Sequence, residues 1–453
     1  MNNRQMKYVL IMCLGIGVTF NTRAQNQEKV LSLKQAIKYA LDNNTKATKA
    51  KLDEEESKFN IKEVRSQTLP QITASGNFDD NLNIPVQLLP GEIVGAPGTT
   101  VEAKFGQQYT VSGGLEVNQT LFDKSVLGAM KAADAANKFY ALNTTRSKEE
   151  VIFQITTDYY QTLILEENLH ILKANQEKMI KLIEMAGYQQ QAGVIKTIDL
   201  NRLKVNRTNG ETQIQNLESD LTTQLNTMKY HMGMAINENI RLDGSTDTLN
   251  ETIINNALEE GDLSNGRYDY LIIKQQQLLN TLEVKNFKAG YYPTLSAYAR
   301  QSYNAQRNEF NFFDGSQPWF PTTIVGMRLS IPLFDGFKKN AQVQQSKIRL
   351  QKLDQDEADV KRAINLEYQN ALSQLKNSSA SMEAQRENVE LAQEVYTITE
   401  DSYKQGITPL SDLLNSETEL LEANNNFNAS LLRYKLAQLS ILKAKGQLQS
   451  ILN

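Results

Sequence analysis

Two rhythms of apolar and polar residues divide the chain. In the longer stretches apolar positions return every seven residues: Tyr368, Leu375, Met382, Val389, Tyr396 and Tyr403, then Leu413, Leu420, Phe427, Tyr434, Ile441 and Leu448. A sustained seven-residue repeat is the seam of helices that wrap around one another. Ala392, Thr399, Glu417 and Asn424 interrupt it, so the seam is not uniformly apolar, and a long amphipathic bundle helix would use the same residues. Earlier in the chain the seam is looser, with Ile155, Leu169 and Ile183 alternating with Thr162 and Gln176. From about Asp123 to Gln190 nothing breaks the pattern, which predicts a helix of roughly 70 residues, ~100 Å long at 1.5 Å per residue.

Elsewhere the period is two. Ile72, Ala74, Gly76 and Phe78 alternate with polar residues, as do Tyr109, Val111, Gly113, Leu115 and Val117. Thr294 to Tyr303 repeats the habit, and Val325, Met327, Leu329, Ile331 and Leu333 share one face. These are four strands, wet on one side, in two hairpins at about 70–121 and 293–334. The connecting segments 79–106 and 304–321 are rich in Gly, Pro and Asn and read as loops, the second holding Trp319 and Phe320. The prolines agree. Pro70, Pro85, Pro90 and Pro97 fall in the first hairpin region, Pro293, Pro318, Pro321 and Pro332 in the second, and only Pro409 stands elsewhere. Proline breaks helix interiors, so the proline-free spans between are free to be long helices.

Composition changes this picture only at the start. Arg4 and Lys7 precede the apolar run Tyr8–Phe20, and Thr22-Arg23-Ala24 offers small residues for cleavage after Ala24. That is a secretory signal over residues 1–24, too short to span a membrane as a helix. Its loss would move the net charge from −4 to −7, since it carries Arg4, Lys7 and Arg23 and no acid. The single cysteine, Cys13, lies inside it after Met12, which excludes disulfides from the mature chain and leaves no lipidation motif. Later residues contain no apolar run of transmembrane length, so an exported chain of this kind is periplasmic, secreted or held in an outer membrane as a closed barrel. The mild negative charge gives no reason to expect nucleic acid. His170 and His231 are the only histidines, 61 residues apart, and suit packed or solvated helix positions better than ligands. No HExxH, P-loop, GxGxxG or nucleophile elbow is present, so neither enzyme chemistry nor a cofactor is expected.

The chain is also duplicated. Leu69-Pro70-Gln71 corresponds to Tyr292-Pro293-Thr294, Leu121-Phe122-Asp123 to Leu333-Phe334-Asp335, and Gly193 with Asp199-Leu200 to Gly406 with Asp412-Leu413. Each half, 25–245 and 246–453, reads helix, hairpin, long helix, glycine turn, helix. Four strands cannot close a barrel, whereas twelve can, so three copies are the economical solution.

The whole mature chain resembles the TolC family of outer-membrane efflux proteins. The likeness rests on Leu31–Asn44, LSLKQAIKYALDNN; on LPQ before a strand; on QTLFD and IPLFDG after the hairpins; and on the paired turns AGVIKTIDL and QGITPLSDLL. The resemblance implies a fold mainly α with β: a long-helix coiled-coil α-barrel plus four strands per chain in a twelve-stranded barrel built by a homotrimer in the outer membrane of a Gram-negative bacterium. It implies that the far end docks a periplasmic adaptor and an inner-membrane pump, of RND or ABC type, in drug efflux or type I protein secretion. A soluble periplasmic coiled-coil adaptor is the rival class; it would have a lipoyl-like β domain and no amphipathic hairpins.

The glycine turns are the expected tip. Gly193 and Gly406 have a structural reason in any helical hairpin, which needs φ > 0 at the reversal. By resemblance, Ala192, Gly193, Val194, Gln405, Gly406 and Ile407 are where an adaptor packs. Asp199 and Asp412 suit the first turn of a helix in any case. By resemblance they also belong to a pore constriction with Tyr403, Thr408 and Asn415. Thr408 stands where family members carry an arginine and Asn415 where they carry a second acid, so the acidic ring is weakened, and Lys196 or Lys404 is left to pair with Asp199. Tyr291, Tyr292, Tyr298, Tyr303 and Phe334 suit an interfacial aromatic girdle.

Overall fold

The computed structural model describes residues 29–95, 97–244 and 263–452; the signal segment and Cys13 lie outside these. Helix α1 spans Leu33–Asn43 and α2 Thr45–Ser66. Helix α3 spans Lys124–Gln191, 68 residues, and α4 Thr197–Met232. The second half has α5, Tyr268–Ala289; α6, Lys338–Lys404, 67 residues; and α7, Leu410–Ala444. Local chemistry fixes the starts: Ser32 and Gln35 close a capping box on α1, and Asp123 accepts the Ser125 N–H at 2.8 Å to open α3.

The helices stand in four columns. Helix α3 packs on α2 and then α4 along one flank and on α5 and α7 along the other, and α6 packs on α5 and α7. Columns α3 and α6 are continuous. The other two are each spliced from two helices end to end, and both splices use one device. Asn44, the N-cap of α2, donates from Nδ2 to the His231 carbonyl of α4 at 2.6 Å. Arg267, the N-cap of α5, donates to the Lys443 and Ala444 carbonyls of α7 at 3.1 and 3.2 Å. The His231 and Ala444 carbonyls thereby gain partners at their helix ends, and Lys443, which already accepts the Gly446 N–H at 2.9 Å, gains a second. Beyond each splice the chain turns at a left-handed glycine, Gly233 (φ +71°) or Gly446 (φ +68°). A Cβ there would sit 2.3 Å from the Asn43 or Gly266 carbonyl oxygen, so only glycine fits. Asn44 and Arg267 are 223 residues apart, the offset of Pro70 and Pro293; Gly233 and Gly446 are 213 apart, the offset of Gly193 and Gly406.

A collar surrounds the splices. Strand β1 (Lys29–Leu31) pairs in parallel with β6 (Ile240–Leu242). With α1 and the turn Leu448–Leu452 it covers one side of α3, burying Leu33, Ile37, Ile152, Ile155 and Tyr159 completely or nearly so. Tyr159 donates to Asp243 at 2.6 Å, and His231 shares a 2.6 Å hydrogen bond with the buried Asp158. His170 is exposed.

At the opposite end from the tip lies one four-stranded antiparallel sheet, β2 (Gln71–Asp80), β5 (Tyr109–Phe122), β7 (Thr294–Arg307) and β8 (Phe320–Ser330), in the order β2-β5-β7-β8. The register Ile72↔Val117, Val117↔Ala299, Ala299↔Val325 carries one apolar row across all four strands. No layer covers it: Ile72 is 69% exposed, Val325 79% and Met327 72%. Polar residues line the other face, where Arg300 donates to Glu116 at 2.6 Å. Both outer strands, β2 and β8, leave an edge unpaired within the chain.

Both expected hairpins form, and they join through β5 and β7 into a single sheet. Two sequence expectations change. The first connecting segment contains a ribbon, β3 (Val86–Pro90) paired with β4 (Thr100–Lys104), hidden from sequence reading by Pro85 and Pro90. Phe320 is the first residue of β8, opposite Asn304, while the alternation through Ile331 and Leu333 outruns the strand because Pro332 cuts it.

Candidate functional site: the helical tip

The two reversals at the tip are the same motif twice. Val194 N–H donates to the Gln189 carbonyl at 2.8 Å and Gly193 N–H to Gln190 at 3.0 Å; Ile407 N–H donates to Ser402 and Gly406 N–H to Tyr403, both at 2.9 Å. This paired pattern consumes the last carbonyls of α3 and α6 and requires a left-handed residue, which Gly193 (φ +77°) and Gly406 (φ +74°) provide. A helix C-terminus of this kind ordinarily tucks the apolar residue after the glycine against the preceding turn. Here Val194 and Ile407 are instead each 71% exposed. Ala192 and Gln405 cap α3 and α6 and are exposed beside them. Tyr188 and Ile198, missed in the sequence, extend this exposed apolar surface.

Behind the tip the four helix ends share a small core of Met179, Leu203, Tyr396, Leu410, Leu413 and Leu420. Burial, with the carboxylates of Glu400 and Glu417, pushes the Tyr396 phenol up to about 12. Two polar contacts tie α3 to α7 across the halves. Asn175 Nδ2 donates to Glu417 at 2.7 Å, and Asn428 Nδ2 donates to Asn168 at 2.6 Å. Glu417 is buried, and desolvation raises its carboxyl above the ordinary range.

The five gate candidates fall into two groups. Tyr403 is half-buried; burial first, then the charge of Asp199, raises its phenol. The Tyr403 and Thr408 hydroxyls are shielded from water, and among the described residues neither has a hydrogen-bond partner. Asp412 and Asn415, one turn apart, occupy the exposed side of α7, where Ser411 donates to Asp412 at 3.1 Å. The cation nearest Asp199 is Arg202, one turn along α4 at 3.7 Å, whereas Lys404 pairs with Glu400 and Asp401 on its own helix. The i, i+3 spacing of Asp199 and Arg202 was the signal that sequence reading passed over.

Comparison with known proteins gives a consistent result. The family model described as outer membrane efflux protein matches residues 36–234 and 282–447. Outer membrane protein TolC of Salmonella enteritidis is 20% identical over 451 residues, covering 98% of this chain and 87% of that protein. Alkaline protease secretion protein AprF of Pseudomonas aeruginosa is 29% identical over 157 residues, 34% of this chain and 31% of AprF. The crystal structure of the outer membrane protein VceC from Vibrio cholerae superposes with a TM-score of 0.66 at 15% identity, covering 91% of this chain and 96% of that one.

Proposed function

The chain belongs to the outer membrane efflux protein family, whose members are channels rather than enzymes, and from this we propose that three copies form one export duct docked at its tip to a periplasmic adaptor and an inner-membrane pump. One observation carries the reading: a sheet with an uncovered apolar face and two unpaired edges stands at one end of helices ~100 Å long. No helix among the described residues is long and apolar enough to cross a membrane. The strands are 10, 14, 14 and 11 residues long, enough to cross as tilted β-strands, which need about 9–11. Joining the free edges of three copies closes twelve strands, turns the apolar rows to lipid and leaves the Glu116–Arg300 side lining water.

At the tip, Val194 and Ile407 offer exposed apolar knobs to the hairpins of an adaptor, and Asp199, Tyr403, Thr408, Asp412 and Asn415 line the constriction beneath. The likeness to AprF supports a second cargo class, protein secretion, through the same duct. Val194→Cys or Ile407→Cys, the only cysteine in a chain cleaved after Ala24, carries a short photo-crosslinker in whole cells. Capture of an adaptor with its pump supports the reading, and the pump separates efflux from secretion. Capture of nothing from either position, in protein shown to reside in the outer membrane, removes the docking claim.

A further inference from the structure

A cavity of about 760 Å³ opens at the level of the two splices, bordered by Asn44 and His231 on one flank and Arg267 and Lys443 on the other. Its size lies within the ~300–1,000 Å³ of small-molecule sites. On α3, Arg146, Glu149, Glu150, Phe153 and Gln154 face it within an arc of about 140°, Val151 borders it from the core side, and Ile152, Ile155 and Tyr159 point into the collar. The site therefore lies beside the collar, whose turn contributes Leu448 to its lining.

Its charges are unevenly satisfied. Lys46 pairs with Glu150, Arg267 with Asp269 at 3.0 Å and Glu367 at 2.7 Å, and Lys443 with Glu367 at 3.2 Å. Arg146 stands 3.8 Å from both Glu150 and Asp269. Each lining cation thus has a carboxylate, which argues against an anionic guest. Arg146 Nε and Glu149 Oε1 are both shielded from water with no hydrogen-bond partner, but Arg146 has two carboxylates within 4.0 Å whereas Glu149, among the described residues, has no ion pair within that distance. Arg267 and Asp269 act on it from α5 with opposite sign; Arg146 and Glu150 flank it on α3, Glu367 lies on α6 and Lys443 on α7. Desolvation prevails and holds its carboxyl at about 7. Val360, Ile364 and Phe153 supply an apolar wall. No group of three metal-ligating side chains occurs among the described residues, so the volume and the wall suit an organic guest.

We propose that this waist cavity binds an amphiphilic organic cation, with its ammonium or amidinium head on Glu149 and its apolar body against Phe153, Val360 and Ile364. Its lining residues all come from one chain, and the proposal goes beyond the export reading, since it stands whether or not the tip docks an adaptor. Below neutral pH, binding converts the Glu149 carboxylic acid to carboxylate, and the proton leaves to solvent as the ammonium takes its place.

The test uses the purified full-length protein in detergent, 9-aminoacridine as the probe, and fluorescence anisotropy with calorimetry in two buffers of different ionisation enthalpy. At pH 6 the wild type is expected to bind with release of a proton. Glu149→Gln should weaken binding by at least about tenfold and abolish that release. Ala363→Trp, which fills the cavity from an exposed position and leaves the carboxylate intact, should weaken binding comparably. Asp412→Asn, which alters the tip, should leave it unchanged. Wild-type affinity in Glu149→Gln with Ala363→Trp, a loss confined to Asp412→Asn, or no binding by the wild type would each overturn the proposal.

Discussion

At the scale of single residues, four left-handed glycines divide into two kinds. A Cβ on Gly193 or Gly406 meets nothing within 4 Å, so alanine there costs only backbone strain, about 1–2 kcal/mol. At Gly233 or Gly446 the same Cβ would strike a carbonyl oxygen at 2.3 Å, and the helix ends would have to separate. Gly233→Ala and Gly446→Ala should therefore destabilise by about 2–5 kcal/mol, the left-handed strain of about 1–2 adding to an overpacking cost of about 1–3. Denaturant titration of the four alanine variants checks the order; equal costs would remove the splice argument. Glu149 sets a pH dependence. Its folded value of about 7 stands above its ordinary 4.5, so the stability it contributes is whole below 4.5 and is lost as pH rises through 7. Glu149→Gln should flatten the thermal-midpoint profile across that window and be the more stable protein above pH 7. The tip glycines and Asp199 were legible in the sequence because a turn glycine and an early helical acid have local causes. Arg267 and Glu149 were not, since their meaning depends on groups 100 or more residues away: Glu367 and Lys443 bond Arg267, and the opposed charges of Arg267 and Asp269 act on Glu149.

At the scale of elements, periodicity carried far. The span expected from Asp123 to Gln190 is helix Lys124–Gln191, and the heptad residues from Tyr368 to Tyr403 are buried or half-buried along α6. The second seam ran one step too long: α7 ends at Ala444, and Leu448 continues the count from a separate turn that packs in the collar. Period alone could not see that break because Leu448 is buried either way. The β3–β4 ribbon was missed for the opposite reason, as proline outweighed the short alternation around it. The tip itself gives a test at this scale. Val194→Asp and Ile407→Asp alter exposed side chains and should change unfolding stability by no more than about 0.5 kcal/mol. Val194→Asp should sharply reduce adaptor capture from a crosslinker at Ile407→Cys, and Ile407→Asp should do the same to capture from Val194→Cys. A large stability loss would mean that the knobs are structural in the single chain.

At the scale of the molecule, the uncovered apolar row is the feature that a single chain cannot accommodate in water. Met327→Arg, placed on that row, should cost about 2–4 kcal/mol if it faces mid-bilayer and should lower the yield of detergent-resistant assembly. Arg300→Ala, on the polar side, should leave assembly intact. Band-shift electrophoresis of unheated outer-membrane fractions reads both, and equal tolerance of the two would reverse the assignment of faces. The pair of splices has a mechanical consequence. Two of the four columns are interrupted at one height while α3 and α6 pass through unbroken. A wall of alternating whole and jointed staves resists stretching along its length, yet yields to twist and bend where the joints line up. Torque applied at the tip would then be absorbed near the collar, sparing the strands at the far end.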